Sequence, residues 1–138
     1  MSWKEKMKEF GGGNFTFLST DGETITFIVV GEPVLLKSVY KKQEQQRVGC
    51  PVVTDEGYQL FITGKRLARK LSKHEAIFNT SALMVIRHGG EGDSETRYDV
   101  RVLPEPATYA RLKAIMDADF KPEMIQESID EATQVLGE

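Results

Sequence analysis

Short runs of β-branched and apolar residues, each cut off by glycine, proline or aspartate, set the limits on what this chain can fold into. Residues 24–30 read Thr-Ile-Thr-Phe-Ile-Val-Val and stop at Gly31-Glu32-Pro33. An extended pattern resumes over 34–40, 48–53 and 58–62. Such runs fit a pleated, half-buried surface and are too short for buried helices. Pro33 has no amide hydrogen, so it belongs at a bulge, a turn or the start of a strand. Asp21-Gly22 and Asp55-Glu56-Gly57 are turn signals. Residues 41–47 are polar and read as a loop.

The period changes after residue 64. Over 65–76 the apolar Leu67 and Leu71 recur at helical spacing, with Thr63 as a cap and Asn79 as the end. Residues 82–88 form the strongest buried-strand candidate. Residues 96–103 alternate, with Tyr98, Val100 and Val102 on one face and Arg97, Asp99 and Arg101 on the other. Pro104 and Pro106 close that strand. Two helices follow, over 107–116 and from Pro122 onward.

The order is four strands, a helix and two strands. If 24–30 and 34–40 are one bent strand, five strands remain. The expected fold is then mainly β: a five-stranded OB barrel, with a helix between its third and fourth strands and helices after it. The expected organisation is a leader with a glycine hinge at 1–14, the barrel domain at 15–104, and an acidic helical extension at 105–138.

Several kinds of chemistry find no support in the residues. One cysteine, Cys50, and two histidines, His74 and His88, do not provide metal-ligand spacing. Gly11-Gly12-Gly13 and Thr63-Gly64-Lys65 lack the pattern of a phosphate loop. The chain is expected to be non-enzymatic and to carry neither cofactor nor metal. A lone cysteine suits a reducing compartment. The first ten residues lack the apolar core of a signal peptide, and no run approaches a membrane span. These features point to the cytoplasm, with no membrane partner.

The net charge of −3 hides an uneven distribution. Residues 1–36 carry net −2, residues 37–104 net +4, and residues 105–138 net −5. A basic centre between acidic ends suggests a polyanionic ligand. Its candidate binding residues fall in three groups. The first is Lys37, Tyr40, Lys41, Lys42 and Arg47, with Tyr40 placed to stack on a base. The second is the helix face of Lys65, Arg66, Arg69, Lys70 and Lys73. The third is Arg87, Arg97 and Arg101, expected to share one outer sheet face. Tyr58 is a further candidate stacker, because its odd separation from Phe61 should expose one of the two rings. Tyr98, by parity, belongs to the core.

Three segments carry a resemblance. They are Gly49-Cys50-Pro51-Val52-Val53, the helix at 64–71, and the strand-loop-strand at 85–100 with Thr96, Tyr98 and Val100 after its glycine-containing turn. Together they resemble small bacteriophage single-stranded DNA-binding proteins with an OB core. The resemblance covers about residues 48–103. It implies sequence-independent, non-catalytic binding of single-stranded DNA in phage or mobile-element replication or recombination, in the host-cell cytoplasm. A second copy of the chain, and replication or recombination proteins docking on 105–138, are further expected partners. The alternative expectation is a protein-interaction or structural module, such as a virion-associated one.

Overall fold

The computed structural model describes residues 15–40, 43–90 and 95–136. Seven strands occupy one sheet: β1 (Phe15–Thr16), β2 (Thr24–Val29), β3 (Val34–Tyr40), β4 (Gln43–Thr54), β5 (Gly57–Thr63), β6 (Ala82–His88) and β7 (Arg97–Leu103). Among the described residues, three α-helices accompany them: α1 (Lys65–Ser72), α2 (Pro106–Asp119) and α3 (Glu123–Leu136). A 3-10 turn spans Glu75–Ile77. None of these helices is long and apolar enough to cross a membrane.

The spatial order is β1-β5-β4-β2-β6-β7, with β3 also paired to β4. All pairings are antiparallel except the parallel contact of β1 with β5. The sheet is open and does not close into a barrel. The expected five-stranded OB barrel is therefore replaced by a mixed α/β fold with a seven-stranded open sheet. The resemblance to phage single-stranded DNA-binding proteins fails with it. Segment order could not separate the two folds, because closure depends on which strands pair, and the same runs suit either arrangement.

The bent-strand idea survives in altered form. Both β2 and β3 run antiparallel to β4, on the same side of it. The register passes from Val29↔Val52 to Val34↔Gly49, five steps on one path against three on the other. The two surplus residues fall at the Gly31-Glu32-Pro33 break, and Val30 N donates to Pro51 O at 2.9 Å. Gly31 is required there by space. A Cβ on it would lie 2.9 Å from Ile125 Cδ1 and 3.2 Å from Pro51 Cβ. Gly57 has a different role, taking φ +102° where the Asp55-Glu56 turn enters β5.

Each face of the sheet has its own core. On one side Phe27, Cys50, Val52, Phe61, Leu83 and Val85 meet Leu67 and Leu71 of α1. Phe27 and Phe61 pack with ring centroids 5.6 Å apart at a 55° tilt. On the other side α2 buries Leu112 against Ile28, Val53, Tyr58 and Ala82. Beside it α3 buries Ala132 against Leu36, Leu60 and Ile62. The two C-terminal helices are thus packed onto the sheet. Helix cover on both faces is why β5 is buried at every position from Tyr58 to Thr63 rather than at alternate ones.

Local differences from the sequence reading have clear causes. The polar loop expected at 41–47 is largely strand, since β4 starts at Gln43 and Tyr40 pairs with Gln43. Cross-strand partners there override weak intrinsic propensity. Thr63 does not cap α1. It is buried at the end of β5, and Gly64 precedes the helix without a side-chain cap. α1 ends at Ser72, short of residue 76, and Arg69 and Lys70 in its last turn complement the carbonyl end of the helix. Pro106, read as a strand terminator, opens α2.

Cys50 lies beneath α1, and burial pushes its thiol up to about 11, with a smaller opposing effect from Thr63. Such a thiol stays protonated at neutral pH and reacts poorly. A thiol reagent such as dithionitrobenzoate should label the native protein far more slowly than the unfolded chain. Equal rates would show that Cys50 is accessible.

Candidate nucleic-acid interface

The cationic candidates fall into two sets that the sheet separates. α1 lies on the sheet through Leu67 and Leu71, which turns Lys65, Arg66, Arg69 and Lys70 to solvent, with Lys73 just beyond. Lys65 Nζ donates to Gln46 Oε1 of β4, tying the start of the helix to the β3–β4 ribbon. Lys37 stands opposite Gln46 and is also exposed. Arg47, opposite the buried Leu36, is exposed on the other face of the ribbon. At the other end of α1, Lys70 Nζ donates to Tyr98 O of β7 at 2.9 Å. A cationic band therefore runs from the ribbon, along α1, to the β7 edge. Among the described residues, no carboxylate forms an ion pair with Arg66, Arg69, Lys73, Arg97 or Arg101.

Arg97 and Arg101 are exposed on β7, but they alternate with Tyr98 and Val100, which pack toward α1, so they stand on the sheet face away from α1. Between them stands Asp99, whose Oδ2 lies 2.9 Å from His88 Nε2. The His88 hydrogen bond holds the Asp99 carboxyl below its usual value of 3.8; desolvation opposes it, and the charges of His88, Arg101 and Lys70 add to it. Asp99 thus stays ionised to a lower pH than a free aspartate.

Two candidates prove to be structural. Arg87 does not join Arg97 and Arg101. The register pairs Arg87 with Tyr98 and His88 with Arg97, which puts Arg87 on the opposite face. Its guanidinium is half-buried and committed. Nε donates to Gly89 O at 2.8 Å, and Nη1 donates to Leu18 O at 3.0 Å and to Tyr98 Oη at 2.8 Å. Nη2 donates to Gly90 O at 3.0 Å and to Thr96 Oγ1 at 3.5 Å. The guanidinium carbon also lies 5.7 Å from the Tyr98 ring centre. No donor is left for a phosphate. The arginine instead ties the β6 end to the segment before β2. The core placement of Tyr98 expected from parity is observed, against the first core.

Tyr58 is not a stacking platform. It is buried, 5.3 Å from the Phe120 ring. Ser128 Oγ donates to Ile125 O at 2.8 Å, so Tyr58 Oη donates to Ser128 Oγ, also at 2.8 Å. Phe61 is buried as well. Alternation exposes one of two such rings only where one sheet face is open, and here helices cover both faces. Lys41 and Lys42 lie outside the described residues. Tyr40 ends β3, and its side chain is not among those described.

No group of three or more histidine, cysteine or carboxylate side chains that could hold a metal occurs among the described residues. A cavity of about 460 Å³ opens between α1 and the β2–β3 bend, lined by Val29, Pro33, Cys50, Leu71 and Phe78 with Glu32 and Glu75 at its polar side. Its apolar walls and two acids do not suit an anion. The architecture defines a class: a mixed α/β protein with an open seven-stranded sheet and helices on both faces. Comparison with protein-family models, curated proteins and solved structures finds no match for the chain.

Proposed function

We propose that this protein binds single-stranded DNA without sequence preference, through the phosphates, and performs no chemistry on it. The observation that carries this reading is the exposed α1 face. It presents Lys65, Arg66, Arg69, Lys70 and Lys73 with no acidic residue between positions 56 and 74, and Lys37, opposite the Gln46 that Lys65 contacts, continues it at one end. Such a band attracts a phosphate chain and releases its counterions. α1 has eight residues, so it is about 12 Å long. It lies flat on the sheet and is poorly placed to enter a duplex groove. Leu35, half-exposed two residues from Lys37 on the same side of β3, offers an apolar contact that unpaired bases can use. The stacking roles of Tyr58 and the phosphate role of Arg87 form no part of this proposal.

Fluorescence anisotropy of labelled oligo(dT) at rising NaCl tests it. Affinity should fall linearly on a log–log plot, with a slope of about −0.7 per phosphate neutralised. Replacing Arg66, Arg69, Lys70 and Lys73 together by alanine should flatten that slope by roughly 3 and weaken low-salt binding by about two orders of magnitude. Absence of binding by the folded protein at low salt would overturn the proposal. Equal binding of a duplex of the same length would remove its single-strand part.

A further inference from the structure

β7 is a sheet edge with an internally complementary charge pattern. Arg87 N donates to Glu23 O, and Arg87 O accepts from Gly22 N, so that residue of β6 points its backbone groups toward the β2 side. Strand alternation then turns Ala82, Met84, Ile86 and His88 toward β7. Their partners Leu103, Arg101, Asp99 and Arg97 use their amides and carbonyls within the sheet. Tyr98, Val100 and Val102 therefore direct theirs outward, away from β6. The Lys70 ammonium on Tyr98 O agrees with that direction. Val102, at 37% exposure, is among the few large apolar side chains left open.

We infer that β7 pairs antiparallel with β7 of a second copy of this chain, about a twofold axis at Val100. In that register Val100 faces the partner's Val100, and Tyr98 faces the partner's Val102. These three positions hold the outward backbone groups, so both pairings are of the hydrogen-bonded kind. Asp99 then stands opposite the partner's Arg101, and Arg101 opposite the partner's Asp99. These are the closer, non-hydrogen-bonded pairs, where opposite charges gain most. Asp99 Oδ2 is taken by His88, which leaves Oδ1 for the incoming guanidinium. The Lys70 ammonium yields its place on Tyr98 O to the partner's Val102 amide. Charged side chains commonly discourage an edge strand from pairing, because most registers set them against like charges or bury them unpaired. The Arg-Asp-Arg alternation of 97–101 attracts a second copy in this register. Two sheets joined in this way share one continuous fourteen-stranded surface only in the described part of each copy, and each α1 stays at the junction.

Sedimentation of the full chain across a concentration series tests the inference, with circular dichroism as a check of folding. The wild type should show a reversible monomer–dimer equilibrium. Asp99→Arg and Arg101→Asp should each weaken it about tenfold or more, by turning two attractive pairs into repulsive ones. The double swap should recover wild-type dimerisation. An equimolar mixture of the two single variants should form a heterodimer more strongly than either variant associates with itself. Val102→Pro removes an amide that β6 does not use, and should abolish pairing while the monomer stays folded. A wild type that remains monomeric throughout, a dimer indifferent to the single swaps, or a double swap no better than the singles would each overturn the inference.

Discussion

Truncating the chain after Pro104 should leave a product without cooperative unfolding. Removing residues 105–138 uncovers Ile28, Val53 and Tyr58 beneath α2, and Leu36, Leu60 and Ile62 beneath α3, all now buried. Each such side chain contributes about 1.5–3 kcal/mol through burial, so the loss is roughly 10 kcal/mol. That matches the whole stability of a typical domain, about 5–15 kcal/mol. The Tyr58–Ser128 hydrogen bond, which links residues seventy positions apart, goes with it. Chemical denaturation followed by far-ultraviolet circular dichroism decides the outcome. A sharp transition in the truncated chain would mean that residues 15–104 fold alone, with the helices as an appendage. The point variant Leu112→Ala provides a milder check, with an expected cost of about 2–5 kcal/mol from the cavity it leaves.

Arg87→Ala should destabilise the protein by about 3 kcal/mol, although position 87 lies in the basic centre that suggests a ligand role. The loss strands the carbonyls of Leu18, Gly89 and Gly90 and the Tyr98 hydroxyl, four acceptors that one guanidinium now serves. Hydrogen bonds to a charged group contribute about 1.5–3 kcal/mol each when partners are left unmatched, but solvent reaches part of this site and reduces the sum. Arg87→Lys should recover less than half of the loss, because an ammonium cannot span the fork. A melting-temperature drop of about 10 °C for the alanine variant is the corresponding thermal result. DNA affinity per folded molecule should change little. A stable Arg87→Ala protein with strongly reduced oligonucleotide binding would reverse the assignment and place Arg87 in the interface.

Much of the local structure was legible in the chain. The runs at 24–30, 34–40, 58–62 and 82–88 are strands within a residue or so of those bounds. β-branched content and glycine or proline stops are local signals, and tertiary packing did not need to override them. The helical period at Leu67 and Leu71 located α1, and Pro122 announced α3. The exposed basic face of α1 was equally readable, since burying two leucines on one side leaves the lysines and arginines on the other.

Faces and closure were not legible in the chain. Tyr58 looked exposable because parity with Phe61 assumes one wet side, and no local signal says that α2 will cover it. Arg87 looked like a third member of an arginine cluster because its register with Tyr98 is a pairing fact, invisible in either strand alone. Gln43 to Arg47 looked like loop because their strand character comes from β3 across the hairpin. The basic centre read from the charge distribution is thus divided. α1, Lys37, Arg47, Arg97 and Arg101 remain available at the surface, and Arg87 is withdrawn into a structural clasp.

By itself, the sequence determined where extended and helical segments lie and which residues carry the positive charge, because propensity, periodicity and turn chemistry act within a few residues. Only the tertiary structure decided that the strands form an open seven-stranded sheet, that helices cover both faces, and that β7 is left as an edge. Those outcomes depend on pairings between segments distant along the chain, where the free energy of burying both faces selects one arrangement among many that the same segments allow.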